Sequence, residues 1–244
     1  MSAPALLAVS HGTSSPEGQD AVARLVAGVG DTLPGSAVAG GFVDVQQPDV
    51  PVSLSSLADG VPAVVVPLLL SAGYHVHVDL RREIASDQSR DTVLAPALGP
   101  DDRLVAVLAQ RLREVGLRPN DRIVLAAAGS SDARAVADCR EMGRRLAAAL
   151  GRPVNVGFLS AATPRLPDAV AMVRAVHPLS RVVVSTYLLA PGYFADLVGD
   201  AGADVVTAPL LIAGEAPPTE LVDIVVDRYD AACRAALAQE VVAA

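Results

Sequence analysis

Residues 6–18 read LLAVSHGTSSPEG, and residues 123–135 read IVLAAAGSSDARA. In each, an apolar run leads to a glycine followed by hydroxyl residues, but His11 of the first corresponds to Ala128 of the second. The correspondence continues along the chain. GFVDVQQP (41–48) answers to GFLSAATP (157–164), LLLSAGYHV (68–76) to YLLAPGYFA (187–195), and LAPAL (94–98) to TAPLL (207–211). The matches come in the same order with nearly constant spacing, which identifies a duplicated unit.

Each unit alternates short apolar or β-branched runs with longer amphipathic segments. The runs predict strands at Ala5–Ser10, Ala37–Val43, Ala63–Leu69 and Thr92–Ala95 in the first unit. The second unit repeats them at Arg122–Ala127, Val154–Phe158, Arg181–Thr186 and Asp204–Thr207. Apolar residues at i, i+3 and i+4 predict helices over Gly18–Val29, Asp102–Val115, Asp132–Leu150 and Thr219–Ala238. Asp101 or Asp102 after Gly99-Pro100, and Thr219 after Pro217-Pro218, are start signals for two of them. Continuous apolar strands separated by helices imply parallel sheets covered on both faces. The expected fold is therefore α/β: two tandem βαβ-type lobes, each a parallel sheet flanked by helices, with a cleft between them. GLRPND (116–121) reads as the linker, giving lobes 1–118 and 119–244.

Composition narrows the chemistry. The chain has 244 residues, 52% hydrophobic and 19% charged, enough apolar material for a large core. A formal charge of −8 and the absence of tryptophan argue against a nucleic-acid partner. All 19 basic residues are arginine, so neither a P-loop nor a Schiff-base lysine exists. Cys139 and Cys233 lack CxxC spacing and read as buried thiols of a reducing compartment. Neither a signal peptide nor an apolar run of membrane-spanning length is evident, so the expectation is a cytoplasmic protein without a membrane partner.

The two copies differ in kind at three places: His11 against Ala128, Asp44 against Ser160, and His75 against Phe194. All three first-copy residues follow strand ends, which in a parallel sheet share one edge, where ligand crevices form. His177, before Pro178, has no partner in this pattern and reads as structural; His77 shares a simple alternation, YHVHVD. Two imidazoles and a carboxylate suit iron, cobalt, nickel or zinc. With no cysteine among them and three groups at most, the site is open rather than structural, and suits delivery of a metal.

SHGTSSPEG, GFVDVQQPDVP and VPLLLSAGYHVHVDL together resemble the class II chelatases of tetrapyrrole biosynthesis, in their two-lobed form and in the sirohydrochlorin cobalto- or ferrochelatase branch. The resemblance covers essentially the whole chain. It implies ATP-independent insertion of Co²⁺, Fe²⁺ or Ni²⁺ into sirohydrochlorin on the way to siroheme or cobalamin, with the metal as substrate and no organic cofactor. It further implies that His11 and His75 bind metal and abstract protons. Asp44 stands where the family commonly has glutamate. A neutral imidazole near pKa ~6.5 suits either role around neutrality. Gly12, Thr13, Ser14, Ser71, Tyr74, Arg81 and Arg82 form the expected substrate-binding set, the arginines facing the macrocycle's carboxylates. The oligomeric expectation is a monomer or weak homodimer. Two other readings are a carrier that binds metal or tetrapyrrole without turnover, and a phosphohistidine phosphoryl-transfer enzyme. The latter lacks the usual arginine beside its histidine, since position 10 is serine.

Overall fold

The computed structural model describes residues 3–71, 80–85 and 90–243, the last five by backbone alone. The first repeat runs β1 (Ala5–Ser10), α1 (Pro16–Thr32), β2 (Val38–Phe42), α2 (Val50–Ser55), β3 (Ala63–Pro67), β4 (Thr92–Leu94) and α3 (Asp102–Glu114), with residues 80–85 also helical. The second runs β5 (Arg122–Ala127), α4 (Ala133–Leu150), β6 (Val154–Phe158), α5 (Leu166–Val176), β7 (Val182–Tyr187), α6 (Tyr193–Gly199), β8 (Val205–Val206) and α7 (Thr219–Ala243). The strands form two parallel sheets, ordered β2-β1-β3-β4 and β6-β5-β7-β8. The expected tandem α/β lobes are thus present. Within the described residues, no helix is long and apolar enough to cross a membrane.

The repeat extends to backbone detail. Gly12 and Gly129 adopt φ of +92° and +88°, Val45 and Ala161 adopt +60° and +50°, and Pro48 and Pro164 both follow cis peptide bonds. An isolated parallel bridge pairs Phe42 with Asp49 in one lobe and Phe158 with Arg165 in the other. A Cβ on Gly12 would strike the Asp44 carbonyl oxygen, and one on Gly129 the Ser160 carbonyl oxygen. Glycine is therefore required twice, by conformation and by close approach.

Strand alternation divides the core into three. Leu6 and Ala8 of β1, and Ile123, Leu125 and Ala127 of β5, face one apolar cluster that runs through both lobes. Their alternates Ala5, Leu7 and Val9 face an outer core with α2. In the second lobe Val124 and Ala126 do the same with α5. Both faces of each sheet are covered, which explains why the strands read as unbroken apolar runs.

The last helix of each repeat packs on the other lobe. α3 lies against α4 and β7, and α7 lies against α1, β3 and β4. Arg111 of α3 is buried and donates to the carbonyls of Pro209 and Leu210 at 3.2 and 3.0 Å. Arg228 of α7 donates to the carbonyls of Ala97 and Leu98 at 3.1 and 3.0 Å. Tyr229 adds bonds to the Pro4 carbonyl and the Ser36 hydroxyl. The last helix of each repeat therefore packs on the sheet of the other, α3 against β7 and α7 against β3 and β4.

Local capping follows sequence chemistry. Asp101 accepts from the Arg103 N–H at 3.0 Å to start α3, and Asp132 from the Arg134 N–H at 2.8 Å to start α4. Ser15 and Asp49 cap α1 and α2 in the same manner, with Pro16 and Pro51 in the first turns.

Candidate functional site

Between the lobes, at the carboxyl ends of β1, β3, β5 and β7, lies a cavity of about 620 Å³. This is the size of a small-molecule site. His11 lies at its edge directly after β1, with Ala128 in the corresponding place after β5. Gly12, Thr13, Ser14 and Ser71 line it too, so five residues expected in the site meet there. His11 and Ser14 are exposed, and Thr13 and Ser71 are partly buried.

His75, Tyr74, His77 and Asp79 lie outside the described residues. Of the three groups that distinguish the copies, Asp44 does not line the cavity. Its carboxylate accepts from the Val45 N–H at 2.8 Å, and its own N–H donates to the His11 carbonyl at 3.1 Å. Asp44 is thereby engaged in shaping the turn beside His11. Ser160 does comparable backbone work in the second lobe, its hydroxyl donating to the Ala128 carbonyl at 2.9 Å. Among the described residues, no cluster of three histidine, cysteine, aspartate or glutamate side chains is placed to hold a metal.

Of the expected substrate-binding residues Gly12, Thr13 and Ser14, Thr13 is already engaged within the protein. The Thr13 N–H donates to Gln46 Oε1 at 2.9 Å, and Thr13 Oγ1 accepts from the Ser15 N–H at 3.1 Å. Arg81 and Arg82 are exposed on the helical residues 80–85. Arg81 borders a separate depression beside Arg90 and β4, and among the described residues no arginine lines the interlobe cavity. The structure does not bring the two arginines to His11. The helix carrying them covers the outer face of the first sheet, where Leu80 packs with Leu54 and Val65.

Gln46 is a cleft residue that the sequence reading passed over. It corresponds to Ala162, so the same comparison that singled out His11 would have found it. Its amide ties the Val45-Gln46 turn to the start of α1, joining the two loops that frame His11.

Second-lobe residues support the cavity floor. Tyr187, buried at the end of β7, donates its hydroxyl to the Leu70 carbonyl at 2.8 Å. Burial holds its phenol well above the ordinary tyrosine range, so it remains a neutral donor. Burial likewise pushes the Cys139 thiol up to about 11, against the lowering effect of the Ser71 hydroxyl bonded to it. Cys139 is thus neutral near pH 7 and a poor nucleophile. At the opposite rim, Gly18 of α1 abuts the Pro191 carbonyl and Gly192 abuts Thr13, so close that a Cβ on either would clash.

Comparison with known proteins places these features. The CbiX family model matches residues 5–115 and matches again over 122–212. A sirohydrochlorin cobaltochelatase from Sulfurisphaera tokodaii is 33% identical over 84 residues, covering 34% of this chain and 69% of that protein. SirB from Bacillus subtilis, solved with Fe³⁺, superimposes with a TM-score of 0.79 at 19% identity, over 97% of this chain and 98% of that one. The sirohydrochlorin chelatase SirB from Bacillus subtilis subspecies spizizenii, in complex with cobalt, gives 0.71 at 16% identity, over 95% and 96%.

Proposed function

The chain belongs to the CbiX family, and from that premise we propose that it inserts Co²⁺ or Fe²⁺ into sirohydrochlorin without ATP. The supporting observation is the position of His11: an imidazole at the mouth of a 620 Å³ interlobe cavity, opposite a repeat that carries alanine at the same place.

The chemistry requires two operations. Two pyrrole N–H protons must leave the macrocycle, and the metal must exchange its water ligands for four ring nitrogens. Neutral imidazole serves both, as ligand and as proton acceptor. His11 and His75 are assigned as the pair that divides these tasks. Asp44 is assigned a positioning part, fixing the turn that presents His11. Gln46 and Thr13 hold the facing loop. A flat macrocycle inserted between the lobes has its centre within reach of the His11 wall, while its peripheral carboxylates extend toward the open rim. This orientation accommodates a cavity that, among the described residues, no arginine lines.

The test mixes purified protein, sirohydrochlorin and Co²⁺ or Fe²⁺ under anaerobic conditions and follows absorbance against the spontaneous rate. The expected result is catalytic acceleration with repeated turnover. His11→Ala and His75→Ala should each remove most of it, whereas His177→Ala, at the end of α5, should leave it intact. Stoichiometric binding without acceleration would identify a carrier. The metal giving the higher kcat/KM would direct the product toward cobalamin if cobalt, or siroheme if iron.

A further inference from the structure

The two walls of the cleft occupy equivalent places in the repeat but have unlike surfaces. The first-lobe wall presents Ser10, His11, Thr13, Ser14 and Gln46; the second-lobe wall presents Leu188, Leu189, Pro191, Tyr193 and Phe194. Val22 and Leu68, Leu69 and Leu70 of the first lobe line the cavity too, so the walls differ chiefly in the imidazole on one and the two exposed aromatic rings on the other. Tyr193 and Phe194 are 70% and 37% exposed, with ring centroids 5.9 Å apart and planes inclined by 37°. Among the described residues they are the two exposed aromatic side chains, in a chain with only 3% aromatic residues. Both belong to the loop GYF that aligns with Gly73-Tyr74-His75 of the first repeat, so the duplicated lobe holds phenylalanine where its counterpart holds histidine.

The loop carrying these rings is fixed. Gly192 has φ +148° and leaves no room for a side chain beside Thr13 Oγ1, and its carbonyl accepts from the Asp196 N–H as α6 begins. Gly18 abuts Pro191 from the other lobe. Aromatic side chains on such a support offer large contact area at low ordering cost, and π-faces bind flat conjugated ligands by offset stacking.

Resting on the chelatase reading, we propose that Tyr193 and Phe194 form the macrocycle-docking face, stacking on one side of the tetrapyrrole while the first lobe presents His11 to the other. The division follows from chemistry. A phenyl ring cannot ligate a divalent metal, whereas a histidine in its place would offer a second metal site on the wrong face of the ring. Loss of the imidazole from the second copy thus exchanges a ligand for a stacking surface. The second lobe grips the organic substrate, and the first handles the metal and protons.

The experiment titrates metal-free sirohydrochlorin, followed by its own fluorescence, into wild-type protein and a Tyr193→Leu/Phe194→Leu variant. Co²⁺ alone is titrated in parallel. Leucine keeps apolar area and removes the π-face, and the exposure of both rings makes the thermal midpoint an adequate check on folding. The expected result is macrocycle binding weakened about 30-fold, from roughly 1 kcal/mol per lost ring contact. KM should rise by a similar factor, with the loss falling on KM rather than kcat, and Co²⁺ binding should not change. Tyr193→Phe, which retains the ring, should behave as wild type in macrocycle binding. Equal macrocycle affinity in the wild type and the double leucine variant would overturn the proposal, as would parallel loss of Co²⁺ binding. If the wild type itself binds no sirohydrochlorin, the chelatase reading and this one fall together. If only the variant comparison fails, this one falls alone.

Discussion

Leu104 of α3 and Leu221 of α7 lie 117 positions apart, the same shift that relates His11 to Ala128, and both are 0% exposed in the core common to the two lobes. Replacing Leu221 with alanine removes three carbons, about 2.4 kcal/mol at ~0.8 kcal/mol per buried carbon. The cavity left in a core that relaxes only partly raises the cost to about 3–4 kcal/mol. For a chain of this size that corresponds to a fall in Tm of roughly 6–16 °C, measured by calorimetry. Location is the decisive readout. α7 belongs to the second repeat by sequence but packs on α1, β3 and β4 of the first lobe. Native-state hydrogen exchange on Leu221→Ala should therefore show lost protection at Leu6–Val9 and Val64–Val66, and Leu104→Ala should weaken β7. Both variants should retain one unfolding transition, because one apolar cluster spans both sheets. If Leu221→Ala loosened only β5–β8, leaving β1 and β3 at wild-type protection, the reciprocal packing argument would be refuted.

The arginines that anchor the exchanged helices give a second test. Arg111→Met and Arg228→Met each strip two backbone carbonyls of a charged donor, so each should cost about 2–4 kcal/mol in urea unfolding. Gly12→Ala introduces a side chain at φ +92° against the Asp44 carbonyl, and should cost about 1–3 kcal/mol while moving the His11 turn. Gly129→Ala should cost a similar amount of stability with a smaller loss of chelation rate. Asp121 links stability to pH. Burial alone would raise its carboxyl, but the Arg181 guanidinium at 2.6 Å and the Arg118 N–H hold it below the usual range. A depressed folded-state value contributes stability that is fully present above the unfolded pKa near ~3.9 and is lost as pH falls through the folded value. The urea midpoint should therefore hold from pH 7 to about 5 and fall below about 4, with a shallower acid limb in Asp121→Asn.

Much of this architecture is readable in sequence because the chain states it twice. The bounds of β1, β5 and β6 are those expected from apolar runs alone, and Asp132 marks the start of α4 by its capping carboxylate. The sheet margins are less legible. The run at 37–43 shortens to Val38–Phe42 and that at 204–207 to Val205–Val206, since edge strands pair on one side only. The interior strand expected at Arg181–Thr186 shifts by one residue, to Val182–Tyr187, the position that places the Tyr187 hydroxyl on Leu70. The exchange of α3 and α7 has no local signal: an amphipathic stripe records that a helix is buried, not which sheet buries it. At the interlobe cavity, the positions of His11 and Gly12–Ser14 are legible because a strand end fixes them. Arg81 and Arg82 could not, since the placement of a short helical segment relative to the cleft depends on the path of the chain between it and β3.

The exchanged helices also explain how a duplicated protein can carry unlike residues at matching places in its two cleft walls. If each repeat formed its own core, substitutions in the second lobe's cleft loops would act only on that lobe, and the cleft would depend on a separable interface. Here Leu104 and Leu221 close the core for both sheets, and Arg111 and Arg228 bind the loops after β8 and β4 across the divide. The relative position of the two walls is then set by buried packing remote from the cleft mouth. Tyr187 on Leu70, and Gly18 against Pro191, extend that alignment to the floor and one rim of the cavity. Replacing an imidazole with a methyl at position 128, or with a phenyl at 194, costs nothing in lobe alignment, because neither residue contributes to the shared core. The second copy is consequently free to vary its cleft surface while still holding that surface at a fixed distance from His11. An asymmetric cleft is the natural product of a symmetric fold whose halves close each other's core.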